Sequence, residues 1–153
     1  MPKTILTYGT FDLFHIGHLR LLERLRALGD RLIVGVSTDE FNTQKGKKTV
    51  VPFADRAEII RGLSCVDLVI PETCWEQKAE DIKQHQVDIL GMGDDWRGKF
   101  DDLGSLCEVV YLPRTEGISS TQIRNSLKML SAEHVRELKQ ALDLMSAIVE
   151  RFD

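Results

Sequence analysis

Short apolar and β-branched runs alternate along this chain with longer stretches in which apolar positions recur every three or four residues. Residues 4–7, 31–37 (RLIVGVS), 67–70, 88–92 and 108–112 have the length and composition of buried strands. Leu19, Leu21, Leu22, Leu25 and Leu28 make a wide apolar face over 17–28, closed by Gly29, and so predict a helix. Residues 53–63, with Pro52 at the start, and 75–86 predict two more. Strand–helix alternation on this scale predicts an α/β fold, a Rossmann-like open parallel sheet of five strands with helices on both faces.

The end of the chain has a different rhythm. Val135, Leu138, Leu142, Met145, Val149 and Phe152 are separated by alternating steps of three and four, a heptad seam with charged residues elsewhere on the helix. Residues 1–130 are therefore expected to form one domain, and 131–153 a C-terminal amphipathic helix. Its stripe either packs on its own domain or contributes to a homodimer. Two irregular segments remain, lysine-rich 38–51 and polar 113–119. Both follow predicted strands, which places them at the carboxyl edge of the sheet, where ligands collect in open parallel folds.

Composition narrows the function. At 153 residues, 42% hydrophobic and 29% charged, the chain can bury a core and is no disordered segment. A net charge of −4 argues against nucleic acid as a partner, so any anionic ligand must be held by a local cluster. Cys65, Cys74 and Cys107 are odd in number and widely spaced, fitting neither a disulfide framework nor a zinc site. No apolar run approaches the length of a membrane span and no signal core opens the chain. A cytoplasmic protein without membrane insertion is expected.

The first strand runs into Tyr8-Gly-Thr-Phe-Asp-Leu-Phe-His-Ile-Gly-His18, with His15 and His18 about one helical turn apart. Gly9 and Thr10 close the strand, and Gly17 stands where the helix begins, so free N–H groups and the helix dipole favour an anion there. Such a pair could ligate a metal, lie buried as structure, or donate hydrogen bonds to phosphate. No further His/Cys pair at ligand spacing supports zinc. A second segment, Arg114-Thr-Glu-Gly-Ile-Ser-Ser-Thr121, combines a guanidinium with hydroxyls, and Ser119 or Ser120 is suited to cap another helix. Lys45, Lys47 and Lys48, with Arg56 beyond them, add cations. Together these suit a polyphosphate, although neither the P-loop nor the dinucleotide glycine fingerprint is present.

The H-x-G-H segment and RTEGISST, together with VSTDEFNTQKGKK, the run from Pro71 to Lys78, and MGDDWRGKFD, resemble the HxGH nucleotidyltransferase superfamily. Within it they are most similar to cytidylyltransferases acting on glycerol 3-phosphate. The resemblance covers about residues 3–127 and leaves the tail outside it. It implies that CTP and glycerol 3-phosphate are joined to CDP-glycerol with release of diphosphate, in the service of glycerol-phosphate surface polymers. It also implies His15, His18, Lys47 and Arg114 as catalytic groups. Gly9, Thr10, Phe11, Asp12, Gly17, Arg56, Asp95, Thr115, Ser119, Ser120 and Thr121 would bind the nucleotide, with Asp95 near the cytosine. Lys45 and Lys78 would hold the acceptor, and Mg²⁺ would accompany CTP without a dedicated protein site. Ser64 departs from the pattern, which carries an arginine near the end of that helix; Arg61 lies one turn earlier. Trp75 and Trp96 are expected to be packing residues.

Overall fold

The computed structural model describes residues 2–152, the side chains of 128–132 excepted. Five strands appear where the apolar runs place them: β1 (Thr4–Gly9), β2 (Arg31–Ser37), β3 (Leu68–Glu72), β4 (Ile89–Gly93) and β5 (Glu108–Leu112). All pair in parallel, in the order β3-β2-β1-β4-β5. The helices are α1 (Ile16–Arg26), α2 (Asp39–Gln44), α3 (Phe53–Arg61), α4 (Gln77–Gln84) and α5 (Ser120–Glu150). The chain divides into two compact units, one up to Ile118 and one from Ser119 on.

Strand periodicity explains the first unit's two-sided core. Successive side chains point to opposite faces. Ile5, Leu32, Val34 and Ile89 accordingly join Leu22, Leu25 and Ile60 of α1 and α3. Leu6, Ile33, Leu90 and Met92 join Ile82 of α4 and Phe100 on the other side. Both faces are covered, as an all-parallel sheet requires. Strand order reverses at β1 and β4, so the carboxyl ends of those strands form the topological switch point.

Two boundaries differ from the sequence expectation. The lysine-rich segment 38–51 contains the short α2, capped by Thr38, whose Oγ1 accepts the Phe41 N–H at 3.2 Å. The helix expected from residue 75 begins at Gln77, because the Gln77 Oε1 accepts the N–H groups of Thr73 and Cys74 and stops the preceding turn.

The second unit is one continuous helix backbone, so the tail helix expected from 131 merges with the helix expected after RTEGISST. Ser119 is its N-cap, accepting the Gln122 N–H at 3.1 Å. Val135, Leu138, Leu142, Met145, Val149 and Phe152, the heptad seam, are all exposed. The boundary expected at 130–131 falls among residues whose side chains lie outside the description.

Candidate active site

The segment between β1 and α1 is shaped by its own side chains. His15 is the N-cap of α1, and its Nδ1 accepts the Gly17 N–H at 3.0 Å. His18 reciprocates, its Nδ1 accepting the His15 N–H at 3.2 Å, so the two imidazoles complete a capping box and stack at 3.8 Å. With both Nδ1 atoms used as acceptors, the neutral rings carry their protons on Nε2. Two N–H donors result, standing at a helix start that already favours anions. The Nε2 of His15 is buried and has no partner among the described residues. A donor in that condition costs free energy until a ligand accepts it.

Electrostatics keeps the pair neutral. Burial, and then the neighbouring His15, lower the His18 pKa to about 4, with Asp12 opposing; burial also lowers that of His15. Gly9 and Gly17 serve these rings rather than a ligand alone. A Cβ on Gly9 would meet the Phe11 ring at 2.7 Å, and one on Gly17 the His15 ring at 2.8 Å. Phe11 itself is buried in the left-handed region, with φ 53°, and its ring meets His18 edge-on at 5.5 Å.

Asp12 and Arg56 stitch the neighbouring loops together. Asp12, buried, accepts the N–H groups of Val50 and Val51, each at 2.9 Å, and so fixes the end of the lysine segment. Arg56 is 1% exposed and donates to the carbonyls of Val51, Thr10 and Ser37 and to Asp39, all at 2.8 Å. Those four bonds make it an internal clamp between the loops. Thr10 completes the seam, donating to Asn42 Oδ1 at 3.3 Å.

Beyond the ends of β2, β3 and β4 lies a cleft of about 460 Å³ lined by Lys45, Lys47, Trp75, Trp96, Lys99 and Phe100. Trp75 is 43% exposed, and its ring packs edge-on against Phe41 at 5.3 Å as expected of a packing residue while one face borders the cleft. Trp96 also faces the cleft while packing on the second core cluster. Ammonium groups lie over these rings: Lys45 at 4.3 Å from Phe41, Lys47 at 5.8 Å and Lys99 at 5.0 Å from Trp96. Lys78 stands in the first turn of α4. It is 3% exposed beneath Trp75 and ion-paired to Glu72 at 2.6 Å. Lys99 and Trp75 take places in the lining that sequence reasoning did not assign.

At the end of β5, Arg114 is exposed and pairs with Asp95, which follows Gly93 on β4. The segment carrying Arg114 and half-buried Thr115 is tied to α1 by Arg24, which donates to the Pro113 carbonyl at 2.7 Å. Ser119, Ser120 and Thr121 belong to the second unit, where Ser119 caps α5. Ser64 and Arg61 are both exposed near the end of α3.

The profile of one family matches this chain from residue 6 to residue 126, spanning every segment just described: Cytidylyltransferase-like. The chain belongs to the cytidylyltransferase-like family. A glycerol-3-phosphate cytidylyltransferase of Bacillus spizizenii is 56% identical over 128 residues, covering 84% of this chain and 99% of that one. Another of Staphylococcus aureus is 51% identical over 125 residues, 82% of this chain and 95% of that one. Among solved structures, a lipopolysaccharide core biosynthesis protein from Thermoplasma volcanium shares the fold. Its TM-score is 0.65 at 24% identity, covering 76% of this chain and all of that one (100%). The family match ends at residue 126, within α5. As a cytidylyltransferase, this chain is a nucleotidyl-transferring enzyme, and no helix among its described residues is long and apolar enough to cross a membrane.

Proposed function

We propose that this cytidylyltransferase transfers the cytidylyl group of CTP to glycerol 3-phosphate. The curated relatives at 51–57% identity over most of the chain carry this reading. An oxygen of the acceptor's phosphate dianion attacks the α-phosphorus of CTP. The bond from that phosphorus to the β-phosphate oxygen breaks, and diphosphate leaves with the electron pair. The attacking group carries no proton at neutral pH, so no general base is needed.

Catalysis then consists of placing two anions together and stabilising the charge that develops on the transferred phosphoryl group. The neutral Nε2–H donors of His15 and His18 suit that task, since they bind oxygen without requiring a proton of their own. Lys47 and Arg114 supply cations, Arg114 on leaving Asp95. Asp95 then faces the exocyclic amine of cytosine, a hydrogen-bond donor. Ser119, Ser120 and Thr121 add hydroxyls to the triphosphate. Among the described residues no group of three or more His, Cys, Asp or Glu gathers as a metal cage. Mg²⁺ is expected to accompany CTP on the triphosphate, where it would offset charge on the leaving group.

The cleft favours glycerol 3-phosphate over an ammonium-headed acceptor such as ethanolamine phosphate. Lysine ammoniums already occupy the faces of Phe41, Trp75 and Trp96, where a cationic headgroup would otherwise bind. The same reading has a cytoplasmic homodimer, with the exposed heptad seam of α5 as a contributing surface. Pyrophosphate release from CTP with each acceptor is the test. Equal kcat/KM for ethanolamine phosphate and glycerol 3-phosphate would refute the acceptor assignment.

A further inference from the structure

A buried chain of polar contacts runs beneath the cleft, and its centre is a carboxylate. Glu72, the last residue of β3, is 3% exposed. Its Oε2 accepts from Lys78 Nζ at 2.6 Å and its Oε1 from Ser37 Oγ at 2.8 Å. Ser37 Oγ in turn accepts from Lys45 Nζ at 3.3 Å. The line Lys78–Glu72–Ser37–Lys45 thus joins the ends of β2 and β3 to a lysine that lines the cleft.

A negative charge under a phosphate-binding site would by itself weaken the site. Here the charge is matched at contact distance by Lys78, whose side chain is 4% exposed and whose ammonium lies over Tyr8 at 4.5 Å and Trp75 at 4.8 Å. At contact distance Lys78 offsets the carboxylate's repulsion of an incoming anion, and Glu72 holds Lys45 through the hydrogen-bonded line over Ser37. Lys45 needs that hold. Burial lowers its pKa most; the neighbouring Lys47, Lys78 and Arg56 lower it further, and Glu72 opposes them. The other groups against Lys45 are the uncharged rings of Phe41 and Trp75.

We propose that Glu72 is a positioning residue for the acceptor phosphate, holding Lys45 through Ser37 as a fixed ammonium at the cleft. The inference rests on the reading that this cleft takes the acceptor. Lys78 balances the charge of Glu72 from below.

Glu72→Gln preserves shape and the acceptor for Ser37 but removes the charge. Binding of inorganic phosphate and of glycerol 3-phosphate is followed by the fluorescence of Trp75 and Trp96, from about pH 7 to about pH 10, beside steady-state kinetics. The variant should bind both ligands about tenfold more weakly, with the acceptor KM rising by a similar factor and the CTP KM held within about twofold. Its loss of acceptor affinity on the alkaline side should begin at lower pH than in the parent, because Lys45 sheds its proton more easily there. Ser37→Ala, which keeps the Glu72–Lys78 pair, should move acceptor KM in the same direction by less. If Glu72→Gln alone does not fold, Glu72→Gln with Lys78→Met removes both charges, and its acceptor KM should stay high. Unchanged or tighter phosphate binding in folded Glu72→Gln overturns the proposal. So do CTP and acceptor KM values that rise together, an unmoved alkaline limb, or a double variant with the parent's acceptor KM. A parent that binds phosphate but does not turn over glycerol 3-phosphate refutes the acceptor assignment instead, and the phosphate titration still decides the role of Glu72. A parent with no phosphate response refutes both.

Discussion

Replacing His15 by asparagine separates two roles that the structure gives one side chain. The Nδ1 of His15 caps α1 by accepting the Gly17 N–H at 3.0 Å, whereas its Nε2–H is a buried donor without a partner among the described residues. Losing a cap costs about 1 kcal/mol, and asparagine is itself among the best caps, so stability should change by less than about 1 kcal/mol. Losing a preorganised donor to a developing oxyanion costs about 2–4 kcal/mol, or roughly 10²–10³ in kcat. His15→Ala should show the same loss of kcat with the full capping penalty added. Continuous detection of pyrophosphate at saturating CTP and acceptor gives kcat, and urea unfolding gives stability. A folded His15→Asn with kcat within about threefold of the parent would refute the donor role. So would a rise in CTP KM with kcat intact, because uniform binding, not transition-state stabilisation, would then have been lost.

The folded-state pKa of His18 is lowered to about 4 from 6.5, so below about pH 6.5 the unfolded chain takes up the proton first and stability falls as pH drops toward 4. The ring is partly exposed, so the loss is on the order of 2 kcal/mol; urea unfolding at about pH 7.5 and about pH 4.5 should show it in the parent and not in His18→Gln. Arg56→Met strands three carbonyls and Asp39, and should cost about 3–5 kcal/mol in the same assay; a loss below about 1 kcal/mol would contradict its role as a clamp. A chain ending at residue 130 should sediment as a monomer if the seam of α5 contributes the dimer contact, and an unchanged sedimentation coefficient per protomer would remove that assignment.

The sequence made the sheet legible because strands buried on both faces must read as continuous apolar runs, and RLIVGVS admits no other reading of its length. It made the histidine motif legible because a helix start, a glycine and two imidazoles at one-turn spacing constrain one another locally. Long-range consequences were not legible. Arg56 stands next to a lysine-rich segment and reads as one more cation, yet its partners are carbonyls from three separate stretches, and carbonyls carry no sequence signature. Glu72 and Lys78 are six residues apart across a strand end and a helix start, a separation that no periodicity marks as a pair. Trp75 reads as a packing residue, and its place in the cleft lining depends on Lys45, Lys47, Trp96, Lys99 and Phe100 arriving from other segments. The six-residue α2 was hidden by length and by the lysines after it, although Thr38 followed by Asp39 and Glu40 is a helix-start signal.

Purified protein with CTP, Mg²⁺ and a panel of acceptors should release pyrophosphate fastest, by kcat/KM, with glycerol 3-phosphate, and phosphorus NMR should show the CDP-glycerol diphosphate resonances growing in step. Absence of pyrophosphate above background from the folded protein with CTP and glycerol 3-phosphate, or a higher kcat/KM for another nucleotide–acceptor pair, would contradict the account.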